Sequence, residues 1–176
     1  MERWFAFVRA INTGARRLRN DELIAAFDSF GLDEPAAFQA AGNVTFRSAE
    51  APDETALAAH LGDELGFECP VFIRAAEDLG AIAASCPFGD DDLAGTEGRV
   101  QLTLLAAAPS SAAVDAVRKM VPTDDLVVIA GSEWWWLPRA GISTSTLRVR
   151  AIEDHLGPMT TRTLATVERL LAKFDA

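Results

Sequence analysis

The chain has 176 residues, 49 % of them hydrophobic, with 26 acidic and 16 basic side chains and a net charge of −10. That length accommodates one large domain or two small packed ones, and it buries a core without disulfide staples. So acidic a protein repels a phosphate polyanion, which puts nucleic acid last among its partners.

The charge is unevenly spread. Residues 1–48 hold six acids and six arginines, and residues 100–176 hold eight side chains of each sign. Residues 49–99 hold twelve acids against Arg74 and Arg99, which is the whole of the excess. Cys69 and Cys86 are read as packing residues in a reducing compartment, hence a cytoplasmic protein. The apolar run near Trp4 is too short for a signal peptide, and no stretch approaches the roughly 18 apolar residues of a membrane span. His60 and His155 have no cysteine or carboxylate at zinc-site spacing. No phosphate loop, no Gly-x-Gly-x-x-Gly and no Gly-x-Ser-x-Gly elbow occurs, so neither a cofactor nor a metal is expected.

In chain order, Trp4 to Arg9 reads as a buried strand followed by a polar loop, Asn12 to Arg19. Asn20 is placed as a helix N-cap, with Asp21 and Glu22 in the first turn, and Gly31 ends the helix. Ala36 to Ala40 is a strand, Ala41-Gly42-Asn43 a turn, and Val44 to Arg47 the returning strand. Pro52-Asp53-Glu54 opens a second helix that stops at Gly66, and Cys69 to Arg74 is a fourth strand. A third helix, Ala76 to Ser85, precedes a Gly- and Asp-rich linker.

The pattern then repeats. Val100 to Ala106 is a strand, Ser110 caps a helix, Leu126 to Ile129 and Trp134 to Leu137 are strands, and Ser143 to Leu156 is a helix. Thr160 to Phe174 is read as a closing helix with Thr160 or Thr161 as its cap. Corresponding elements sit about ninety residues apart, which is a repeat of topology. The expected fold class is α+β: two tandem ferredoxin-like subdomains of the βαββαβ type, the second modified by a C-terminal helix. Their expected limits are 1–88 with an extra helix, 89–98 as linker, and 99–176.

Four segments carry a resemblance. They are Phe7 to Gly14, Gln39 to Phe46, Leu65-Gly66-Phe67 leading into Pro70-Val71 and Arg74, and Leu156-Gly157 with Thr160-Thr161-Arg162 and Thr166-Val167. Together they resemble the bacterial domain-of-unknown-function family 1697. The family's usual glycines are replaced by Ala10 and Ala15, and its Asn-Trp by Thr163-Leu164. The resemblance implies a compact two-part α+β fold and no particular activity.

In a ferredoxin-like unit the Asn12 to Arg19 loop, the Gly42-Asn43 turn and the Gly66-Phe67 turn gather at one end of the sheet. Arg9, Asn12, Arg16, Arg17 and Asn43 would give that end many donors, suited to a carboxylate or phosphate. Arg162, after two threonines, is a further donor. The leading expectation is therefore a non-catalytic binder of a small anionic ligand or nucleotide. The alternatives are an enzyme using Arg9, Asn43 and Arg162 with Asp21, Glu22 or His155 as acid or base, and an interaction module. For the last, Trp134-Trp135-Trp136 would alternate across a strand and could join a homo-oligomer. Asp90-Asp91-Asp92 lacks calcium-loop spacing and reads as solvated linker. Cys69 with His60 or His155 has no positioning motif for a nucleophile pair.

Overall fold

The computed structural model describes residues 1–9, 11 and 17–174. Among these are two four-stranded antiparallel sheets and seven helices, an α+β arrangement. The chain divides into two compact units, residues 1–82 with 170–176, and residues 83–169.

In the first unit β1 (Glu2–Val8), α1 (Asn20–Ser29), β2 (Asp33–Phe38), β3 (Asn43–Ser48), α2 (Glu54–Leu65), β4 (Val71–Ala75) and α3 (Ala76–Ala84) follow in order. The sheet order is β2-β3-β1-β4, so β1 is paired on both sides. Alternation then decides which side chains meet the helices. Ala6, Val8, Val44, Phe46, Val71 and Ile73 pack against Leu23 and Phe27 of α1 and Leu57 and Leu61 of α2. Phe5, Phe7 and Phe72 occupy the opposite face and are also buried. Fully burying side chains of this size contributes about 1.5–3 kcal/mol each, so this sheet is hydrophobic on both faces.

Local chemistry accounts for most boundaries. Asp53 caps α2 by accepting from the Thr55 and Ala56 amides at 2.7 and 3.1 Å, and Gly66 ends it at φ 76°. At α1 the expectation of an Asn20 cap shifts by one residue. Arg19 occupies the cap position, and its amide donates to Glu22 Oε2 at 2.9 Å. The second strand ends at Phe38 rather than Ala40, because Gln39 takes the left-handed conformation (φ 58°) and begins the turn.

The second unit repeats the wiring with α4 (Asp90–Leu93), β5 (Gln101–Leu105), α5 (Ser111–Arg118), β6 (Asp125–Ala130), β7 (Glu133–Pro138), α6 (Val149–Leu156) and β8 (Met159–Thr163), and α7 (Leu164–Phe174) begins in it, its residues from Leu170 on being counted with the first unit. Its sheet order is β6-β7-β5-β8. The expected linker 89–98 is part of this unit. Asp92 Oδ2 takes the Gly89 amide at 3.1 Å and caps α4, while the Glu97 and Gly98 amides both donate to Arg139 O. The acidic run is thus tied down at both ends.

Two expected helices are shorter than read. Ser145 donates to Asp125 Oδ2 and accepts the Leu147 amide at 3.1 Å, so its hydroxyl serves a turn and α6 starts only at Val149. Thr160 to Thr163 form β8 along β5, as β-branched residues prefer, and α7 begins at Leu164. Thr163, not Thr160 or Thr161, caps it by accepting the Thr166 amide at 3.2 Å.

The core of this unit stacks Trp134 on Trp136, centroids 6.0 Å apart, against Val117, Ile152 and Leu156. Buried Asp125 takes the Trp136 Nε1–H at 2.9 Å. Asp125→Ala would leave that indole donor and the Ser145 hydroxyl without their acceptor. We expect a loss of about 2–3 kcal/mol in urea unfolding, with Asp125→Asn losing less.

Candidate functional site

The end of the first sheet that the sequence singles out is tied together by two backbone hydrogen bonds. As β1 finishes, the Val8 amide donates to Gly42 O at 2.7 Å, and the Arg9 amide donates to Pro70 O at 2.9 Å. The end of β1, the β2–β3 turn and the segment entering β4 are therefore brought together. Gly42 makes this possible. It sits at φ 72°, and a Cβ there would lie 2.5 Å from Val8 O and 2.9 Å from the Ile11 Cδ1. Ile11, which the sequence reading passed over, is 4 % exposed and closes over the turn.

Of the expected site residues, Asn12 and Arg16 lie outside the described residues. Arg9 is half-buried at the convergence point, and Arg17 is exposed just ahead of α1. Asn43 is fully buried, and its Nδ2 donates to Phe38 O at 3.3 Å. That bond spans the turn, so Asn43 holds its shape. Arg74 also has a structural partner, Glu54 Oε1 at 3.7 Å, and the same carboxylate takes the Ile73 amide.

A groove of about 410 Å³ opens on the helical side of this unit, lined by Leu18, Glu22, Ala25, Ser29, Glu64 and others. Its two carboxylates oppose an anion. Near it Ser29 Oγ lies 2.9 Å from His60 Nε2, and both approach Ala26 O at 3.1 Å. In the tautomer that donates to Ala26 O, His60 Nε2 carries the hydrogen it also turns toward Ser29 Oγ. The pair ties α1 to α2. Buried Cys69 donates to Phe67 O at 3.3 Å, a packing role. Asp21 and Glu22 serve Arg19 at the start of α1. Among the described residues, no cluster of three or more His, Cys, Asp or Glu could hold a metal ion, and no helix is long and apolar enough to cross a membrane.

The comparisons with known proteins bear on the same wiring. A family described as "protein of unknown function (DUF1697)" matches residues 1–135. The chain belongs to the DUF1697 family. A solved structure of a conserved bacterial protein from Streptococcus pneumoniae is similar over 97 % of both chains, with a TM-score of 0.63 at 17 % identity. At that identity the likeness is one of fold. No curated protein matches.

The DUF1697 match includes Gly42, Asn43 and Pro70, the residues of the convergence point, and stops within β7. The C-terminal segment of the resemblance, with Arg162, lies beyond it. Arg162 belongs to the second unit, on β8 opposite Leu102. Its Nη1 donates to Thr160 Oγ1 at 3.0 Å and to Thr161 O at 2.9 Å. Burial pushes its pKa down to about 10. The folded chain gives up this proton before the unfolded chain does, so stability rises with pH above the folded value. The Trp run is fully accounted for by folding. Trp134, Trp135 and Trp136 are 0, 2 and 4 % exposed, and β7 is paired on both sides. The tryptophans present no ring and no free edge to a partner.

Two outcomes are expected. Gly42→Ala must strain both φ and the Val8 contact, and should lower unfolding free energy by about 2–4 kcal/mol in denaturant titration. Between about pH 9 and about pH 11, wild type should gain about 1 kcal/mol relative to Arg162→Met in parallel urea titrations.

Proposed function

We propose that this protein is a non-catalytic binder of a small anionic ligand or nucleotide, held at the end of the first sheet beside β1. The observation that carries this reading is the double backbone tie of β1, Val8 N to Gly42 O and Arg9 N to Pro70 O. It supports a rigid floor beside a loop that supplies Arg9, Asn12, Arg16 and Arg17. Guanidinium forks recognise carboxylate and phosphate oxygens in pairs, and Arg17 is solvent-exposed. Asn43 enters this reading as a positioning residue, since its amide spans the turn. Arg162 is read as a separate donor of the second unit.

The chain order and the antiparallel order β2-β3-β1-β4, repeated as β6-β7-β5-β8, support reading both units as ferredoxin-like. The free thiols of Cys69 and Cys86 support a reducing, cytoplasmic setting.

The test is thermal-shift and calorimetric titration with nucleotides and sugar phosphates. A ligand of the right class should raise the melting temperature, with about 2.7 kcal/mol of stabilisation at a hundredfold excess over Kd. The double variant Arg16→Ala/Arg17→Ala should lose that shift while keeping its own melting temperature near wild type. No shift with any anion, or an undiminished shift in the double variant, would sink the reading.

A further inference from the structure

The two units build the same edge of their sheets in opposite ways. At the end of the first sheet β2 is guarded: Pro35 has no amide hydrogen, Glu34 sits at φ 49°, and the pairing with β3 slips between Asp33 and Ala36. These are the ordinary devices that stop a sheet edge from pairing with another chain. The equivalent strand of the second unit, β6, has none of them. It runs in unbroken register along β7 from Asp125–Pro138 to Ala130–Glu133, and its centre, Leu126-Val127-Val128-Ile129, is uncharged and apolar.

The hairpin geometry says which backbone groups that edge offers. Gly131-Ser132 is a two-residue turn, so Ala130 and Glu133 form the closing hydrogen-bonded pair. Alternation then turns the amide and carbonyl of Val128 and Leu126 toward β7, and those of Val127 and Ile129 outward. Asp125, next in that series, uses its amide on Pro122 O at 3.1 Å. Among the described residues, no strand pairs with the outer side of β6. The side chain at its centre, Val128, is 36 % exposed.

We propose that β6 is a pairing edge on which a second copy of this chain docks antiparallel, with the twofold axis at Val128. In this register Val127 faces Ile129 of the other copy and the reverse, which pairs all four outward amides and carbonyls. Val128 then meets its own counterpart in a non-hydrogen-bonded position, side chain to side chain. A register centred on Val127 would set Ile129 against the engaged amide of Asp125. One centred on Ile129 would set Val127 against Gly131, beyond the strand. Charge also argues against the Ile129 axis, which would set Asp125 opposite Glu133, whereas the Val128 axis sets Asp125 opposite Gly131 and Asp124 opposite Ser132. Such an interface is isologous and closes on itself.

Sedimentation velocity across a concentration series should show a monomer–dimer equilibrium. Val128→Lys, which sets two ammonium groups opposite each other, should weaken it by about tenfold or more with an unchanged circular dichroism spectrum. A cysteine pair supplies a readout independent of that variant, in a Cys86→Ser background. Antiparallel non-hydrogen-bonded positions bring Cα atoms to about 4.5 Å, within disulfide reach, so Val128→Cys should cross-link on oxidation. Leu126→Cys, which faces Ala130 in this register, should not. A wild type that stays monomeric throughout would overturn the proposal. So would a Val128→Cys variant that cross-links no faster than Leu126→Cys, or a dimer untouched by Val128→Lys.

Discussion

Much of the first unit hangs on one hydrogen bond, from the Val8 amide to Gly42 O. It closes the end of the central strand onto the hairpin turn beside it, and only a residue without a Cβ lets the two backbones approach so closely. With that contact made, Arg9 can reach Pro70 O, Ile11 can cover the turn, and Asn43 can span it from within. The convergence point is built from main-chain atoms and apolar contacts. Asn43 belongs to it too, since its side-chain amide spans the turn.

The repeat shows how one wiring tolerates very different contents. Both units place a central strand between two neighbours and bury one face under two helices. The first fills that face mainly with small and medium aliphatic side chains and one phenylalanine from β3, with a partly buried Trp4 from β1 packed against them. The second uses a stacked tryptophan pair, and must then supply Asp125 as an acceptor for the Trp136 indole. Among the described residues Trp134 Nε1 has no such acceptor. The edges diverge as well, since β2 carries a proline and a register shift where β6 carries neither. Unequal protection of equivalent edges is what singles out β6.

The order of elements was readable because the punctuation is local. Asp53 before a helix, Gly66 after it, Ser110 as a cap and Gly42 in a turn act through their own backbone neighbours. The structure departs from local preference where a distant partner outweighs it. Thr160 to Thr163 could cap a helix or form a strand, and the long-range pairing with β5 decided for the strand. Ser145 could sit in a helix, but Asp125, twenty residues earlier, takes its hydroxyl. Asp90 and Asp91 are exposed, as a solvated acidic run should be, while Asp92, Glu97 and Gly98 reach Arg139 more than forty residues on.

The sequence by itself determined that this chain alternates strands and helices in two similar rounds, that its acidity lies in residues 49–99, and that the loop after β1 is rich in arginine. Composition, period and turn residues are properties of short windows, so they need no partner to be read. Only the tertiary structure decided that Asn43 turns inward, that all three tryptophans are core, and that β6 rather than the Trp strand lies at an edge. Burial and edge position depend on which strands pair across long separations, and no local pattern contains that information.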